Sequence, residues 1–83
     1  MNLKTAQMLD EKMCFVKHIE MLLDFDKKNN QVDCLRYKVD YQSDDCYDEY
    51  VDVVYINGHT KRLFVTGNSN GAILKEIARE VYR

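Results

Sequence analysis

The chain has 83 residues, of which 46% are hydrophobic and 31% are charged, and its formal net charge is −2. This size and composition predict a single domain, residues 1–83, with a thin hydrophobic core, and they exclude a disordered chain. No apolar run approaches the roughly 20 residues that span a bilayer. The first residues show no apolar segment typical of a signal peptide, and the three cysteines are an odd number without paired spacing. We therefore expect a cytoplasmic protein with reduced thiols and no membrane partner.

Residues 3–25 predict an amphipathic helix. Its apolar positions recur every three or four residues, and they are Met8, Leu9, Met13, Phe15, Val16, Ile19, Leu22, Leu23 and Phe25. Asn2 or Thr5 can cap the start of this helix. The pair Asn29-Asn30 favours a left-handed stop after it, because asparagine tolerates positive φ.

Strict alternation of apolar and polar residues over 33–41 predicts a half-buried strand, and residues 42–48 are interpreted as a polar loop. Two further β-rich segments, 49–56 and 60–66, flank Asn57-Gly58, a strong hairpin signal. A two-residue turn would place Arg62 on the buried face. A three-residue loop of residues 56–58, with Gly58 as a bulge, instead pairs Val51 with Leu63, and we prefer this register.

A second amphipathic helix is predicted over 71–82, with Asn68, Ser69 or Asn70 as its cap. The order is therefore α-β-β-β-α. We expect an α+β domain with two layers, in which two helices cover a three-stranded antiparallel meander.

Acidic residues are concentrated between 40 and 52, where six carboxylates occur without a basic side chain. Tyrosines are interleaved with them, so the segment combines negative charge with aromatic anchors that can dock on a basic surface. The candidate partner-binding residues are Asp44, Asp45, Tyr47, Asp48, Glu49 and Tyr50. An alternative is a solvated loop whose charges prevent aggregation. The spacing of Asp40, Gln42 and Asp44 also resembles the start of an EF-hand loop, but the glycine and the closing glutamate are missing.

Metal and nucleophile chemistry have little support in the sequence. Cys14 and His18 share a helix face and could join Cys34 and Cys46 in a zinc site, but no strand spacing favours it. A cysteine–histidine nucleophilic pair, from Cys14 or Cys46 with His18 or His59, lacks any sequence context for an activated thiolate. We therefore expect no cofactor, no metal site and no enzymatic activity.

The basic residues concentrate at the end of the chain, where residues 61–83 hold five cations and two acids. An alternative function is nucleic-acid binding through Lys61, Arg62, Lys75 and Arg79, with Arg83 as a further cation on the last helix. The element order matches that of double-stranded-RNA-binding domains. Those domains carry cations at the start of the last helix, whereas here that start reads Asn68 to Ala72. We expect direct nucleic-acid binding to be unfavourable because the net charge is negative.

One segment, Asn57 to Ser69 followed by Ala72 to Ile77, resembles the C-terminal part of small proteins of phages and mobile elements in Gram-positive bacteria. The resemblance covers a hairpin, a Thr-Gly-polar-Ser turn and a capped helix. Some small acidic proteins of these elements are anti-CRISPR proteins, which block a nuclease complex by occupying its nucleic-acid channel. The resemblance implies a cytoplasmic inhibitor that acts as a DNA mimic on a host protein or ribonucleoprotein complex with a basic surface.

A homodimer, formed through the first helix or a free strand edge, is a third possibility.

Overall fold

Two helices and three strands follow one another in the order α-β-β-β-α, so the predicted fold class is confirmed. A computed structural model describes residues 3–82. Its elements are helix α1 (Leu3–Phe25), a short 3-10 helix (Lys27–Asn29), strands β1 (Val32–Ser43), β2 (Cys46–Tyr55) and β3 (Thr60–Phe64), and helix α2 (Asn70–Val81). The candidate cap Asn2 and the cation Arg83 lie outside the described residues. Among the described residues, neither helix combines the length and the apolar character that crossing a membrane requires.

The three strands form an antiparallel meander in the order β1-β2-β3. The polar loop expected at 42–48 is wrong, because β1 runs to Ser43 and β2 starts at Cys46, which leaves a two-residue turn. The two strands are extended by a cross-strand aromatic pair, Tyr41 and Tyr47, with ring centroids 5.7 Å apart. Such pairs stabilise an antiparallel ladder, so the polar composition of this segment did not produce a loop.

The hairpin between β2 and β3 has the preferred register, in which Val51 pairs with Leu63. Gly58 has a φ of +88°, and its N–H donates to the Tyr55 carbonyl across the three-residue loop. Only glycine adopts this conformation without strain. The register keeps Arg62 off the buried face, where a two-residue turn would have placed it.

Both helices cover the same face of the sheet, and one hydrophobic core lies between the two layers. Its buried members come from β1, β2, both helices and the residue just after β3, and they are Leu9, Val16, Ile19, Leu23, Val32, Leu35, Tyr37, Val51, Val53, Val65, Ile73 and Ile77. In the described part of the chain, no helix lies over the other face of the sheet, which we term the open face. Ser69 caps α2 by accepting a hydrogen bond from the Ala72 N–H at 3.3 Å, one of the three predicted caps.

Helix α1 buries a narrower stripe than its sequence suggests. The buried positions are Leu9, Lys12, Val16, Ile19 and Leu23. Leu22 and Phe25, both expected on the buried stripe, are 65% and 86% exposed. A three-stranded sheet and one short helix cover only part of the apolar surface of α1, so the remainder faces outward.

The end of α1 does not use a left-handed asparagine. Asn30 is extended, with φ −148° and ψ 162°. Its buried side-chain amide donates to the carbonyls of Leu23 and Asp26, at 3.0 and 2.8 Å, and its Oδ1 accepts from the Val32 N–H at 3.0 Å. The side chain therefore satisfies the helix carbonyls that a left-handed turn would otherwise satisfy through the backbone.

Candidate functional site

Residues 40–48 form a two-stranded extension of the sheet, termed the acidic ribbon. Strand β3 ends at Phe64, and the last backbone-to-backbone hydrogen bond from this segment to β2 runs from the Val65 N–H to the Glu49 carbonyl at 2.9 Å. Beyond that point β1 and β2 pair only with each other. The ribbon therefore extends past the third strand with its turn at the end of the hairpin.

Four carboxylates lie on the acidic ribbon without a cation among its residues. Asp40 and Asp48 are directly opposite each other, an arrangement that destabilises a sheet. Asp44 and Asp45 form the turn, and within residues 3–82 neither makes an ion pair. Asp48 accepts hydrogen bonds from the Gln42 amide at 3.3 Å and from the Thr66 hydroxyl at 3.4 Å. The hydrogen bond to Asp52 and, to a smaller extent, the charge of Asp40 raise the pKa of Arg62. The predicted exposure of these four acids is thus matched by the structure.

The two predicted tyrosine anchors lie on opposite faces of the sheet. Tyr47 is half-buried on the helix side, where it packs against the core. Tyr50 lies on the open face, where its ring is 6.2 Å from that of Phe64. A flat partner therefore contacts one of these tyrosines but not both, so the predicted set of six residues does not form one surface.

Glu49 is not an exposed binding residue, and its assignment to the partner-binding surface is wrong. Its side chain is 1% exposed, and its Oε1 is 2.8 Å from the ammonium of Lys12, which is 8% exposed. The same oxygen accepts from the Tyr37 hydroxyl at 2.5 Å, and Oε2 accepts from the Gly67 N–H at 2.9 Å. Glu49 therefore joins α1, β1, β2 and the segment before α2.

The hydrogen bonds of this buried network also affect ionisation. Burial opposes the charge on Glu49, but the bonds from Lys12, Tyr37 and the Gly67 N–H outweigh it and lower the pKa of this carboxyl group. Burial and the bond to Glu49 raise the pKa of Tyr37. The network keeps Glu49 charged and Tyr37 neutral at physiological pH. Sequence reasoning missed it, although Lys12 interrupts an otherwise apolar stripe on α1.

The open face of the sheet carries cations and aromatic rings together. Arg62 makes a paired contact with Asp52, with N–O distances of 2.9 and 3.3 Å, and its guanidinium lies 3.9 Å from the centre of the Tyr50 ring. Asp52 is buried by this contact, so it is a structural residue of the acidic segment. Phe64 is 68% exposed next to Tyr50, and Lys38 is the register partner of Tyr50 on β1.

The predicted basic cluster is not assembled as one surface. Lys61 pairs with Val53 and Arg62 with Asp52, so these adjacent cations lie on opposite faces of the sheet. Arg79 on α2 contacts Glu76 at 3.4 Å, and Lys75 is exposed on the same helix. Of the four predicted cations, Arg62 pairs with Asp52 of the acidic segment.

Within residues 3–82, no group of three or more histidine, cysteine, aspartate or glutamate side chains is placed to hold a metal ion. Cys14 and Cys46 are exposed, and Cys34 is half-buried. Cys14 and His18 lie side by side on α1 as predicted, whereas His59 lies next to the β2–β3 loop.

Comparison with protein-family models, curated proteins and solved structures finds no match for this chain.

Proposed function

We propose that this protein is a non-enzymatic interaction protein whose acidic ribbon docks on a basic surface of a protein or ribonucleoprotein complex. The observation that carries this proposal is the direct pairing of Asp40 with Asp48 next to the Asp44-Asp45 turn. Cross-strand repulsion between these two aspartates costs stability, and within residues 3–82 Asp44 and Asp45 make no ion pair that would stabilise the fold. Charges that oppose folding while lying exposed at one end of a hairpin are accounted for by a role in binding.

The density of negative charge on the ribbon is similar to that of a nucleic-acid strand. Three to four residues separate the Asp40–Asp48 pair from the turn, which is roughly 12 Å at about 3.3 Å per residue. The four charges form two pairs at the two ends of this length, so their mean density is about one charge per 3 Å, comparable to the roughly one charge per 3.4 Å along one DNA strand. A channel of lysines and arginines that binds a nucleic-acid strand would therefore also attract this ribbon.

A phage-type inhibitor of a nucleic-acid-handling complex in the cytoplasm of a bacterial host, such as an anti-CRISPR protein, is the biological role that fits this mimicry. The resemblance of residues 57–77 to small phage and mobile-element proteins supports that role.

The test is affinity capture from bacterial lysate with and without nuclease treatment, read by mass spectrometry. We expect a nuclease-resistant protein partner with a basic channel. Replacing Asp44, Asp45 and Asp48 together with lysine should weaken its binding at least about 100-fold, since like-charge contacts cost several kcal/mol. The matched control replaces three exposed acids elsewhere with lysine, namely Glu11, Asp24 and Asp33.

The control variant has the same net charge as the ribbon variant, so it separates the ribbon from a general charge effect. Retention of the partner by the ribbon variant would refute the proposal, and so would equal loss of the partner by both variants. Because exposed charges are screened by salt, association of the wild-type protein should also slow as the salt concentration rises.

A second candidate function is single-stranded nucleic-acid binding on the open face. It is favoured by the exposed ring of Phe64 beside Tyr50, with Lys38 and Arg62 close by. Aromatic stacking combined with nearby cations is how many proteins hold single strands. Fluorescence anisotropy with labelled oligonucleotides at about 20 mM salt tests it. Phe64→Ser should weaken binding, and no binding by the wild-type protein at low salt would exclude it.

A further inference from the structure

Large apolar side chains remain exposed where the C-terminal ends of α1 and α2 lie side by side. We term the set Leu22, Phe25, Leu74 and Tyr82 the apolar patch, and their exposed fractions are 65%, 86%, 43% and 47%. The Tyr82 hydroxyl donates to Asp26 at 2.6 Å, which fixes the two helix ends together. Exposed apolar clusters of this kind mark interaction surfaces on proteins in water.

The patch combines a projecting side chain with a groove. The groove runs between the helices, has a volume of about 270 Å³ and is lined by Leu22, Leu74 and Tyr82, with Ile19 and Ile77 beneath them. It is smaller than typical small-molecule sites of about 300–1,000 Å³, so it suits an inserted side chain. Phe25 follows Leu22 by three positions and therefore lies on the same side of α1.

We propose that the apolar patch joins two copies of this chain in a symmetric dimer. In a two-fold interface each residue contacts its counterpart reciprocally. A second copy can thus place its Phe25 in the groove of the first and receive the first Phe25 in its own groove. A foreign partner would have to provide both a groove and a matching side chain, whereas a second copy already has both.

The exposed area is sufficient for such a dimer. An aromatic side chain presents roughly 200 Å², so Phe25 and Tyr82 offer about 250 Å² per copy at their exposed fractions. Leu22 and Leu74 raise the apolar area to roughly 400 Å². Homodimer interfaces are about 65% apolar, which gives roughly 600 Å² per copy and about 1,200 Å² in total. That total lies at the lower limit of specific interfaces, so we expect a weak dimer that dissociates on dilution.

The dimer is independent of the proposed function of the acidic ribbon. Helix α1 has 23 residues and a length of about 34 Å. Ala6 and Leu9, near its start, lie beside Tyr41 of the ribbon, whereas Phe25 is at the other end. Joining the apolar patches therefore leaves both acidic ribbons exposed, and one dimer presents two of them.

Analytical ultracentrifugation from 5 μM to 1 mM tests the dimer. The weight-average mass of the wild-type protein should rise from 9.8 kDa toward twice that value. Phe25→Ser should weaken the dimer at least about tenfold, since a buried aromatic side chain contributes more than 1.4 kcal/mol. The matched control is Phe64→Ser, which removes an exposed ring from the open face and should leave the mass curve unchanged.

Salt separates this apolar contact from charge pairing. The dimer should persist in 1 M NaCl, because apolar association does not depend on unscreened charges. A wild-type protein that stays monomeric at 1 mM would overturn the proposal. So would dissociation by Phe64→Ser with an unaffected Phe25→Ser variant, or dissociation by salt alone. None of these results bears on whether the acidic ribbon binds its partner.

Discussion

Breaking the buried Lys12–Glu49 pair should destabilise the protein far more than breaking any exposed pair. Glu49→Gln leaves the Lys12 ammonium buried without its counter-charge, and Lys12→Met leaves the carboxylate with only the Tyr37 hydroxyl and the Gly67 N–H. Removing one partner of a buried pair costs about 3–5 kcal/mol. An 83-residue domain has a total stability of about 4–12 kcal/mol, so either single change removes much of it.

The double variant Lys12→Met/Glu49→Gln should be more stable than either single variant. It buries no charge, and its glutamine oxygen can still accept from Tyr37. We expect it to lose about 1–2 kcal/mol relative to the wild-type protein, which corresponds to a coupling energy of at least about 4 kcal/mol when each single change costs about 3–5 kcal/mol. Urea unfolding followed by far-UV circular dichroism measures all four proteins. Glu76→Gln, in the exposed pair with Arg79, is the control and should lose at most about 0.5 kcal/mol.

Acid titration tests the same network from the side of ionisation. The folded pKa of Glu49 is lowered by its three hydrogen-bond donors, although burial opposes this. Its contribution to stability is therefore complete above the unfolded pKa of about 4.3 and is lost as the pH falls through the lower folded pKa. As the pH falls below about 4.3, the wild-type protein should lose stability more steeply than the double variant. Additive losses in the urea experiment, or equal acid slopes, would show that the pair is not coupled.

Three further changes test other parts of the fold. Asp40→Lys places an opposite charge beside Asp48 and should add about 0.5–1 kcal/mol to the free energy of unfolding. The melting temperature should therefore rise by roughly 3–6 °C, and a melting temperature below that of the wild-type protein would contradict the repulsion. Asn30→Ala removes the side chain that binds the Leu23 and Asp26 carbonyls at the end of α1 and one amide of β1, so it should cost about 2–3 kcal/mol in urea unfolding. The exposed Asn29→Ala should cost less than about 1 kcal/mol. Gly58→Ala should cost about 1–2 kcal/mol from its φ of +88° alone, since no atom crowds the added carbon; an unchanged urea midpoint would show that the loop relaxes.

The fold could be predicted from the sequence because its signals are local. Periodicity indicated both helices, and alternation in β1 indicated which residues face the core. The bulged hairpin followed from one requirement, that Val51 and Leu63 share a face while Arg62 does not. Turn chemistry was less informative. The segment after β1 is rich in polar residues, but the pairing of Tyr41 with Tyr47 extends the strands through most of it.

The candidate site was harder to predict, because a charged side chain looks the same in a sequence whether it is buried or exposed. Glu49 and Asp52 belong to the acidic segment, but each is buried through a partner distant in sequence, Lys12 for one and Arg62 for the other. The first pair spans 37 residues. Nothing in the spacing of the acids indicates such a contact. An apolar stripe interrupted by Lys12 was the one available signal of a buried counter-charge.

The structure therefore divides the acidic segment into two groups with opposite effects on stability. Glu49 and Asp52 stabilise the fold through their cations, whereas Asp40, Asp44, Asp45 and Asp48 remain together on the acidic ribbon. The negative charge of the whole acidic segment favours a basic partner surface. Of its acids, the four exposed ones on the acidic ribbon are available to contact such a surface. The fold neutralises its buried acids, Glu49 and Asp52, with cations. It nevertheless keeps the exposed Asp40 and Asp48 directly opposite each other, and a single lysine at one of these positions would remove the repulsion between them. This retained repulsion is the reason for our proposal that the acidic ribbon serves binding rather than folding.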